Sequence, residues 1–509
     1  MKKLLFIFFW MSAFAITKAN NIQITNVSVV PANSTIKFDV SWDNGWRSSV
    51  LNNWDAAYVF FKVKDVNGNW GPLSVTAVND VTPSGFIGAY INSYLGKFFY
   101  RATSGSGTTT ITNIEIGIDP PQASGIFDIK GFAIEMVYVP QTGFYPGDGS
   151  STNSYTPDPA YGTTLQQGTA THLIDPLATP TLINATGFQN GFKAFYCMKY
   201  ELSMGGYRDF LNTLTYTQQI PHIVPAPSAT AGSYALINAY RNNIKIKTAG
   251  IASSTPAVFG CDANNNLVYD EADDGEWIAC NYLNWVDHAA YLAWAGLRPL
   301  TELEYEKAAR GIQLPVASEY AWGNNQISTT IYNYATPNTT SETITNGSAT
   351  IGNANYGSTY PFLAGPTRTG VFATATSNRI TSGGSFYGVM DLSGNLAERV
   401  ISTTMATNSS YATLGVRESV QILANGYAGF TSTSSAFNWP GSTIYFIPPA
   451  LGPSYINGTV NATGLIYKGG HWSSSSANLR ISDRSGLLVT DPNIARSSDV
   501  GIRGCATAP

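Results

Sequence analysis

The sequence predicts an α+β protein, with an all-β, immunoglobulin-like sandwich over residues 20–125 and a larger domain over residues 130–509. Two observations lead to this fold class. The first part contains short runs that alternate between apolar and polar residues, as the strands of a sandwich do. The second part has long loops rich in Gly, Ser, Asn and Thr, interrupted by a few amphipathic segments.

The strands of the first domain are predicted from alternation with period two. This pattern places every second side chain on the same face, so that one face can pack against a second sheet. The alternating segments are 22–30, 35–42, 57–63 and 110–116. The sequence DPPQASG at 119–125 combines Pro and Gly and predicts a hinge, and a further strand is predicted at 132–140.

Three segments of the second domain carry helix signals. The segment 203–214 begins with a serine that can cap a helix, and its apolar residues recur with helical spacing. The segment 284–294 precedes Gly296, which is typical of a helix C-terminus. The third segment, 301–311, begins with the capping-box sequence TELE. The remaining sequence is rich in turn residues and predicts short strands and long loops.

The composition excludes several classes of protein. Hydrophobic residues make up 44% of the 509 residues, which is enough to build a core and excludes general disorder. Charged residues are only 12%, and 28 Lys and Arg against 32 Asp and Glu give a net charge of −4. A surface with so few charges has no basic patch for nucleic acid or for anionic lipid.

The N-terminal residues predict a signal peptide over 1–19. Lys2 and Lys3 precede an apolar run at 4–16, and Thr17 and Ala19 provide the small residues of a cleavage site. The apolar run is too short to span a hydrocarbon core of ~30 Å as a helix. We therefore expect an exported protein, which is periplasmic, at the cell surface or extracellular, without a membrane span after cleavage.

Four cysteines allow two disulfides in an exported chain, with three possible connectivities. Cys261 and Cys280 enclose an acidic loop, and they are the favoured pair. Cys197 and Cys505 would form the second pair. The cysteines lack the spacing of a zinc site, because the chain has no CxxC sequence.

An acidic segment inside the predicted insertion 261–280 has the spacing of a calcium-binding loop. Oxygen-bearing residues occupy positions 1, 3, 5, 9 and 12 of an EF-hand-type loop, and position 7 contributes a backbone carbonyl. These residues are Asp262, Asn264, Asn266, Val268, Asp270 and Asp273. Leu267 stands where glycine is usual, and neither flank reads as an EF-hand helix. The alternative is a solvated acidic turn closed by a disulfide.

A series of motifs in the second domain resembles the formylglycine-generating enzyme, or sulfatase-modifying factor, family. Members of this family have a variant of the C-type lectin fold, so the resemblance implies that fold here. The matching motifs follow one another in the order found in the family. They are EMVYVP at 135–140, KYELS at 199–203, the segment 284–311, AWGN at 321–324, GVMDLSGNLAE at 388–398, KGGHW at 468–472 and GIR at 501–503.

The resemblance also identifies what the chain lacks. Family members that oxidise a substrate cysteine bind copper through a cysteine pair, because soft thiolates select Cu(I). In this sequence the two corresponding positions are Ser474 and Leu479. The resemblance therefore implies no catalytic residues and no copper. His471, in the same segment, is the first candidate if metal ligands have moved elsewhere.

The family also binds calcium near the segment that corresponds to 391–398. The resemblance implies a calcium site in which Asp391 and Glu398 contribute side chains and Gly394 and Leu396 contribute backbone carbonyls. All four groups are oxygen donors, which suit calcium. The alternative is that these residues only cap turns and form ion pairs.

Three functions are compatible with these observations. We favour a non-catalytic binding or scaffold protein of the bacterial cell envelope, part of a gliding or secretion assembly, whose partner is an envelope protein, a peptide or a glycan. The second is a metal-dependent oxidase related to formylglycine-generating enzyme, with relocated ligands. The third is a variable receptor built on the same lectin fold. Nucleic acid is not expected as a partner.

Overall fold

The computed structural model describes residues 21–90, 95–119, 128–157, 189–357, 364–404, 421–430, 464–486 and 495–509, together with residues 176 and 439 and the short strands β11, β12, β22 and β23 defined below. The predicted signal peptide lies outside these residues, as does the predicted hinge apart from its first residue. No helix in the described ranges is long and apolar enough to cross a membrane.

Strands dominate the secondary structure of the described residues. The strands up to residue 119 are β1 (Gln23–Val30), β2 (Thr35–Ser48), β3 (Asn53–Lys64), β4 (Trp70–Pro72), β5 (Ser74–Val81), β6 (Phe86–Tyr90), β7 (Gly96–Arg101) and β8 (Gly105–Asp119). The later strands are mostly short. They are β9 (Ile129–Val139), β10 (Thr156–Pro157), β11 (Leu173–Ile174), β12 (Leu182–Ile183), β13 (Phe195–Met198), β14 (Ile244–Thr248), β15 (Val258–Cys261), β16 (Arg298–Pro299), β17 (Tyr334–Ala335), β18 (Thr343–Ile344), β19 (Ala397–Ile401), β20 (Gln421–Ile422), β21 (Ala428–Phe430), β22 (Ser442–Phe446), β23 (Tyr455–Thr459), β24 (Leu465–Lys468), β25 (Val500–Gly501) and β26 (Gly504–Thr507).

The helices are short, and the three predicted ones are present. The α-helices are α1 (Met204–Leu211), α2 (Tyr216–Gln219), α3 (Trp285–Ala295) and α4 (Glu302–Arg310), and 3₁₀ turns occur at Ile220–His222 and Ser476–Leu479. At the start of α3, Asn284 Oδ1 accepts a hydrogen bond from Asp287 N, and Asp287 Oδ2 accepts one from Asn284 N. The helix ends at Gly296, whose φ of 70° is left-handed and favours glycine.

The N-terminal part of the chain consists of two packed β layers. One layer contains β1, β2, β5 and β8, and the other contains β3, β4, β6, β7 and β9. Their facing sides form a hydrophobic core in which the ring of Phe38 meets the edge of Phe61 at 5.3 Å between centroids. The predicted all-β character of this part is therefore confirmed, and its alternating segments correspond to β1, β2, β3 and β8.

One sheet continues from the N-terminal part into the second part. Strand β9 pairs along its length with β3 and also pairs with β13, so the order β3–β9–β13–β26–β16 crosses the predicted boundary near residue 130. Asp55 on β3 and Glu135 on β9 both form ion pairs with Lys199, at 2.9 and 3.1 Å. The two parts thus share hydrogen bonds and buried charges rather than only a flexible connection.

Helix α3 packs against the sheet near the N-terminal layers. Lys62 Nζ donates a hydrogen bond to the Trp294 carbonyl at 2.5 Å, and Tyr58 Oη donates to the Ala295 carbonyl at 2.9 Å. Both side chains are buried, and the ring of Phe60 meets the edge of Trp294 at 5.0 Å. These contacts hold α3, which lies within the family motif 284–311, against the β layers.

The predicted disulfides are absent: none of the four cysteines forms one, and all four are buried. Cys197 and Cys505 are directly opposite on the antiparallel strands β13 and β26. Cys197 Sγ instead lies 3.6 Å from the Met198 carbonyl oxygen, and Cys505 Sγ lies 3.3 Å from the Pro299 carbonyl oxygen. Cys261 lies in the β14–β15 ladder, whereas Cys280 N donates to the Leu202 carbonyl, so a separate backbone pairing holds each of these two thiols.

Candidate functional site

The motifs of the second part meet around a small sheet. Strand β19 lies between β24 and β25, and Glu398 on β19 is paired with Lys468 on β24 and with Gly501 on β25. The preceding loop approaches the glycine turn after β24, where Gly394 N donates to the Gly469 carbonyl at 2.8 Å. This arrangement places the segments 388–398, 468–472 and 501–503 side by side.

Leu479, at one of the two positions that correspond to copper ligands, is a core residue. Its side chain is 0% exposed. It belongs to a hydrophobic cluster with Tyr320, Trp322, Ala354 and Tyr356, which we call the Leu479 cluster. The side chain therefore contributes packing to the domain and has no atom that can bind a metal.

Ser474, at the other position, closes a turn. Its Oγ accepts a hydrogen bond from His471 N at 3.0 Å, and its backbone N donates to the His471 carbonyl at 2.9 Å. Its own carbonyl accepts a hydrogen bond from Gly357 N at 2.9 Å. These contacts use the serine to fix the backbone that follows the KGGHW motif.

The residues at these two positions do not fit the copper ion of the catalytic family members. Cu(I) is held by soft thiolates, whereas Ser474 offers a hard, neutral hydroxyl and Leu479 offers only hydrocarbon. The four cysteines lie outside this segment and are buried in the hydrophobic clusters around β13, β15 and β26. The chemistry of the donor set therefore gives no route to copper binding at this place.

A groove of about 370 Å³ opens beside the same turn. We call it the His471 groove, and its polar lining residues include His471, Ser474, Asn478, Asp483, Ser485 and Asp499. His471 Nδ1 lies 3.1 Å from Ser473 Oγ and 3.7 Å from Asp499 Oδ1. Burial lowers the pKa of His471, so a neutral imidazole faces the groove at neutral pH.

The loop 391–398 has a tightly constrained backbone. Asp391 has a φ of 59°, and its Oδ2 accepts a hydrogen bond from Gly370 N at 2.6 Å. Gly394 has a φ of 98°, and a Cβ atom there would lie 2.6 Å from the Asn355 carbonyl oxygen, so only glycine fits. Leu396 is buried, and its backbone N donates to Glu201 Oε1 at 2.8 Å.

Buried carboxylates accumulate around this loop. Glu398 Oε1 accepts a hydrogen bond from Arg503 Nε at 2.8 Å, whereas the buried Glu398 Oε2 has no hydrogen-bond partner. Burial raises the pKa of Glu398 to about 7, against the effect of Arg503, and the negative charge of Asp391 adds to the shift. Burial also raises the pKa of Glu201, with further contributions from Asp391 and Glu398.

An added cation would relieve this concentration of buried negative charge. The orphaned Glu398 Oε2 and the raised pKa values of the neighbouring carboxyls are what a site built for a bound cation would show without it. The side chains of Asp391 and Glu398, with the carbonyls of Gly394 and Leu396, are hard oxygen donors that suit calcium. These donors suit the calcium ion that the family resemblance implies, and the ion pair of Glu398 with Arg503 at 2.8 Å is what the alternative of turn caps and ion pairs predicts.

The first half of the acidic loop folds as successive turns. Asp262 Oδ1 and Asn264 Oδ1 both accept a hydrogen bond from Asn266 N, at 3.1 and 3.0 Å, and Asn266 Oδ1 accepts one from Val268 N at 2.7 Å. However, Asp262 is fully buried, and Lys245 Nζ forms an ion pair with its Oδ2 at 2.8 Å. A lysine of the chain itself thus neutralises the first predicted ligand.

The second half of the loop diverges from the predicted ligand set. Asp270 Oδ1 forms an ion pair with Arg208 Nη1 at 2.7 Å and accepts a hydrogen bond from Cys261 N at 2.9 Å. This ion pair holds the Asp270 carboxylate against α1. Asp273 Oδ1 accepts a hydrogen bond from Asn264 Nδ2 at 3.2 Å, so these two predicted ligands do come together.

The segments described above lie within the part of the chain that matches a known protein family. A model of the sulfatase-modifying factor enzyme 1-like domain matches residues 173–508. The chain belongs to this family. The match extends from β11 to the last strand and includes the Leu479 cluster, the His471 groove and the loop 391–398, and it confirms the resemblance seen in the sequence.

No curated protein matches the chain. Among solved structures, the chain is similar to Treponema denticola variable protein 1 at 10% sequence identity and a TM-score of 0.31. The alignment covers 74% of this chain and 96% of that one. Similarity at this level transfers neither ligand nor function.

Four residues that contact or adjoin the two candidate calcium sites are not predicted by the sequence analysis. Glu201 lies in the KYELS motif, so a search for acidic residues in the family motifs could have found it. Lys245 and Arg208 belong to elements distant in sequence from the acids that they neutralise, and no local pattern indicates them. Asp274 directly follows the last predicted ligand of the loop and could have been included by its charge.

Proposed function

We propose that this chain is an exported, non-catalytic binding or scaffold protein of the bacterial cell envelope, built on a sulfatase-modifying factor domain. The observation that carries the proposal is that both positions of the copper-binding cysteines hold residues with other roles. Leu479 packs in the core and Ser474 closes a turn, so neither is free to act on a substrate. A domain that retains the family fold without these ligands retains a surface for binding.

The His471 groove is the binding surface in this proposal. It combines hydroxyl, amide, carboxylate and imidazole groups in a cleft of about 370 Å³. Such groups form the directional hydrogen bonds that recognise a peptide backbone or a sugar. The partner is therefore an envelope protein presenting a peptide segment or a glycan, with a gliding or secretion assembly as its setting.

Calcium has a structural role in the same proposal. The loop 391–398 adjoins the glycine turn after β24, which leads into the His471 groove. A calcium ion on Asp391 and Glu398 would neutralise the buried carboxylates and hold this loop in place. The two N-terminal β layers, which we propose to be immunoglobulin-like, support the domain through the continuous sheet.

Export is supported by the basic and apolar segments of residues 1–19. The low content of charged residues, 12%, is compatible with an extracytoplasmic protein that avoids nucleic acid. In this location the protein would meet envelope proteins and surface glycans directly.

Site-specific photo-crosslinking in the native host tests the binding surface. A photoreactive residue at Asn478, inside the His471 groove, should give a discrete crosslinked species. The matched control carries the same residue at Val66, which is fully exposed on the N-terminal part and distant from the groove in sequence. Crosslinking at Val66 alone, or at both positions equally, would contradict the groove as the binding surface.

A metal-dependent oxidase with relocated ligands is the second candidate. The observation in its favour is that His471 Nδ1 lies 3.7 Å from Asp499 Oδ1 within the groove. Within the described ranges, however, no third His, Cys, Asp or Glu has a ligand atom within 4.8 Å of both. A redox metal that co-purifies with the wild type and is lost in His471→Ala would favour this candidate over the binding protein.

A further inference from the structure

Three carboxylates converge at the end of the acidic loop, and only one of them belongs to the ligand set predicted from the sequence. Glu271, Asp273 and Asp274 each offer an oxygen, and these atoms lie within 4.8 Å of one another. Among the described residues, this is the one group of three or more acidic, His or Cys side chains that meets this distance. Oxygens on opposite sides of a calcium ion are separated by about 4.6–5.2 Å, so the spacing is that of a cation site.

Asp274 provides a second and independent observation. The residue is 0% exposed, and its Oδ1 is a buried atom without a hydrogen-bond partner. Its Oδ2 accepts a hydrogen bond from Glu271 N at 2.8 Å, which fixes the carboxylate within the group. A buried carboxylate oxygen without a partner is costly, because desolvation is not compensated.

The other acids of the loop are compensated by cations of the chain itself. Lys245 neutralises Asp262, and Arg208 neutralises Asp270. In the described part of the chain, no Lys, Arg or His forms an ion pair with Glu271, Asp273 or Asp274, whose contacts include the neutral amides of Asn264 and Asn266. Within the described residues, the loop thus contains one group of acids paired with Lys or Arg side chains and a second group without such a pairing.

We propose that Glu271, Asp273 and Asp274 bind a hard divalent cation, for which calcium is the best match. Three carboxylate oxygens with exposed flanks allow further coordination by water, as calcium sites of modest affinity commonly do. The site differs from the EF-hand-type set because Asp262 and Asp270 are outside it. It is also separate from the loop 391–398 and does not depend on the proposed binding function.

Isothermal titration of the chelator-stripped full chain with calcium chloride tests the proposal. The double variant Glu271→Gln, Asp274→Asn should bind one calcium ion fewer than the wild type, or should bind that ion with a roughly tenfold lower affinity. The matched control is Asp270→Asn, which removes a neighbouring acid while leaving Arg208 its partners Asp209 and Glu276. This control should retain the site within about twofold.

Thermal melting separates a cation site from a structural role of Asp274. Without metal, Asp274→Asn should melt at or above the wild-type temperature, because it removes an unpaired buried anion. Calcium should raise the melting temperature of the wild type more than that of the variant.

The outcomes for the two calcium candidates are distinguishable. Unchanged calcium stoichiometry and affinity in the double variant would overturn the present proposal. Loss of a site only in Glu398→Gln would overturn it while supporting calcium at the loop 391–398. Equal loss in Asp270→Asn and in the double variant would restore the EF-hand-type set and overturn the three-carboxylate site.

Discussion

The Leu479 cluster gives the sharpest prediction about why this chain differs from the catalytic members of its family. Leu479→Ala removes a side chain that is 0% exposed and surrounded by Tyr320, Trp322, Ala354 and Tyr356. Full burial of a leucine contributes about 1.5–3 kcal/mol relative to exposure. A cavity adds to the loss wherever the surroundings cannot collapse into it.

The walls of this cavity have little freedom to move. The rings of Tyr320 and Trp322 are stacked at 4.8 Å between centroids. On the other side, the backbones of Gly394 and Gly470 approach closely enough that an added Cβ atom would lie 3.3 and 2.7 Å from the methyl groups of Leu479. We therefore expect Leu479→Ala to lower the free energy of unfolding by about 3–4 kcal/mol, in the middle of the usual range of about 2–5 kcal/mol.

Urea denaturation followed by tryptophan fluorescence measures this change. Leu479→Met, which conserves volume, should cost less than about 1.5 kcal/mol. Ser474→Ala removes the acceptor for His471 N and should cost about 1 kcal/mol. A Leu479→Ala variant within about 0.5 kcal/mol of the wild type would refute the assignment of this position to the core.

Three further predictions concern pH, calcium and export. Burial raises the pKa of Glu135 from 4.5 to about 7, so between these pH values the folded state keeps a proton that the unfolded state releases. This group should therefore lower the free energy of unfolding by about 3 kcal/mol as the pH rises from 4.5 to about 7. Glu135→Gln should remove that part of the pH dependence from urea midpoints measured at about pH 5 and about pH 8. Chelation should lower the melting temperature of the wild type and lower that of Glu398→Gln less, whereas identical wild-type curves with and without chelator would contradict a structural calcium ion. Intact-mass analysis of native protein should give Asn20 as the N-terminus, and retained Met1 would contradict export by cleavage.

The regular elements could be predicted because their signals are local. Capping residues and periodicity determine where α1, α3 and α4 begin and end, and alternation marks β1, β2, β3, β8 and β9. The continuous sheet could not be predicted from those signals. Alternation marks a strand but does not identify its partner, so the sequence does not predict that β9 pairs with β3.

The candidate sites show the same division between local and distant information. The spacing from Asp262 to Asp273 predicts a calcium-binding loop, and the first half of this segment folds as successive turns with oxygen-bearing side chains. The spacing does not indicate that Lys245 and Arg208, from other elements, form ion pairs with Asp262 and Asp270. The disulfide prediction failed for a related reason, because cysteine spacing in sequence does not determine the distance between two sulfur atoms.

The central claim, that this domain binds without oxidising cysteine, is tested most directly by assaying the activity of its catalytic relatives. The purified full chain is supplied with copper and incubated in oxygen with a sulfatase-type cysteine peptide, and the peptide is analysed by mass spectrometry. The account predicts no conversion of cysteine to formylglycine above the control without protein, because Ser474 and Leu479 provide no thiolate. Conversion above that control, abolished in His471→Ala, would contradict the account and establish an oxidase with relocated ligands.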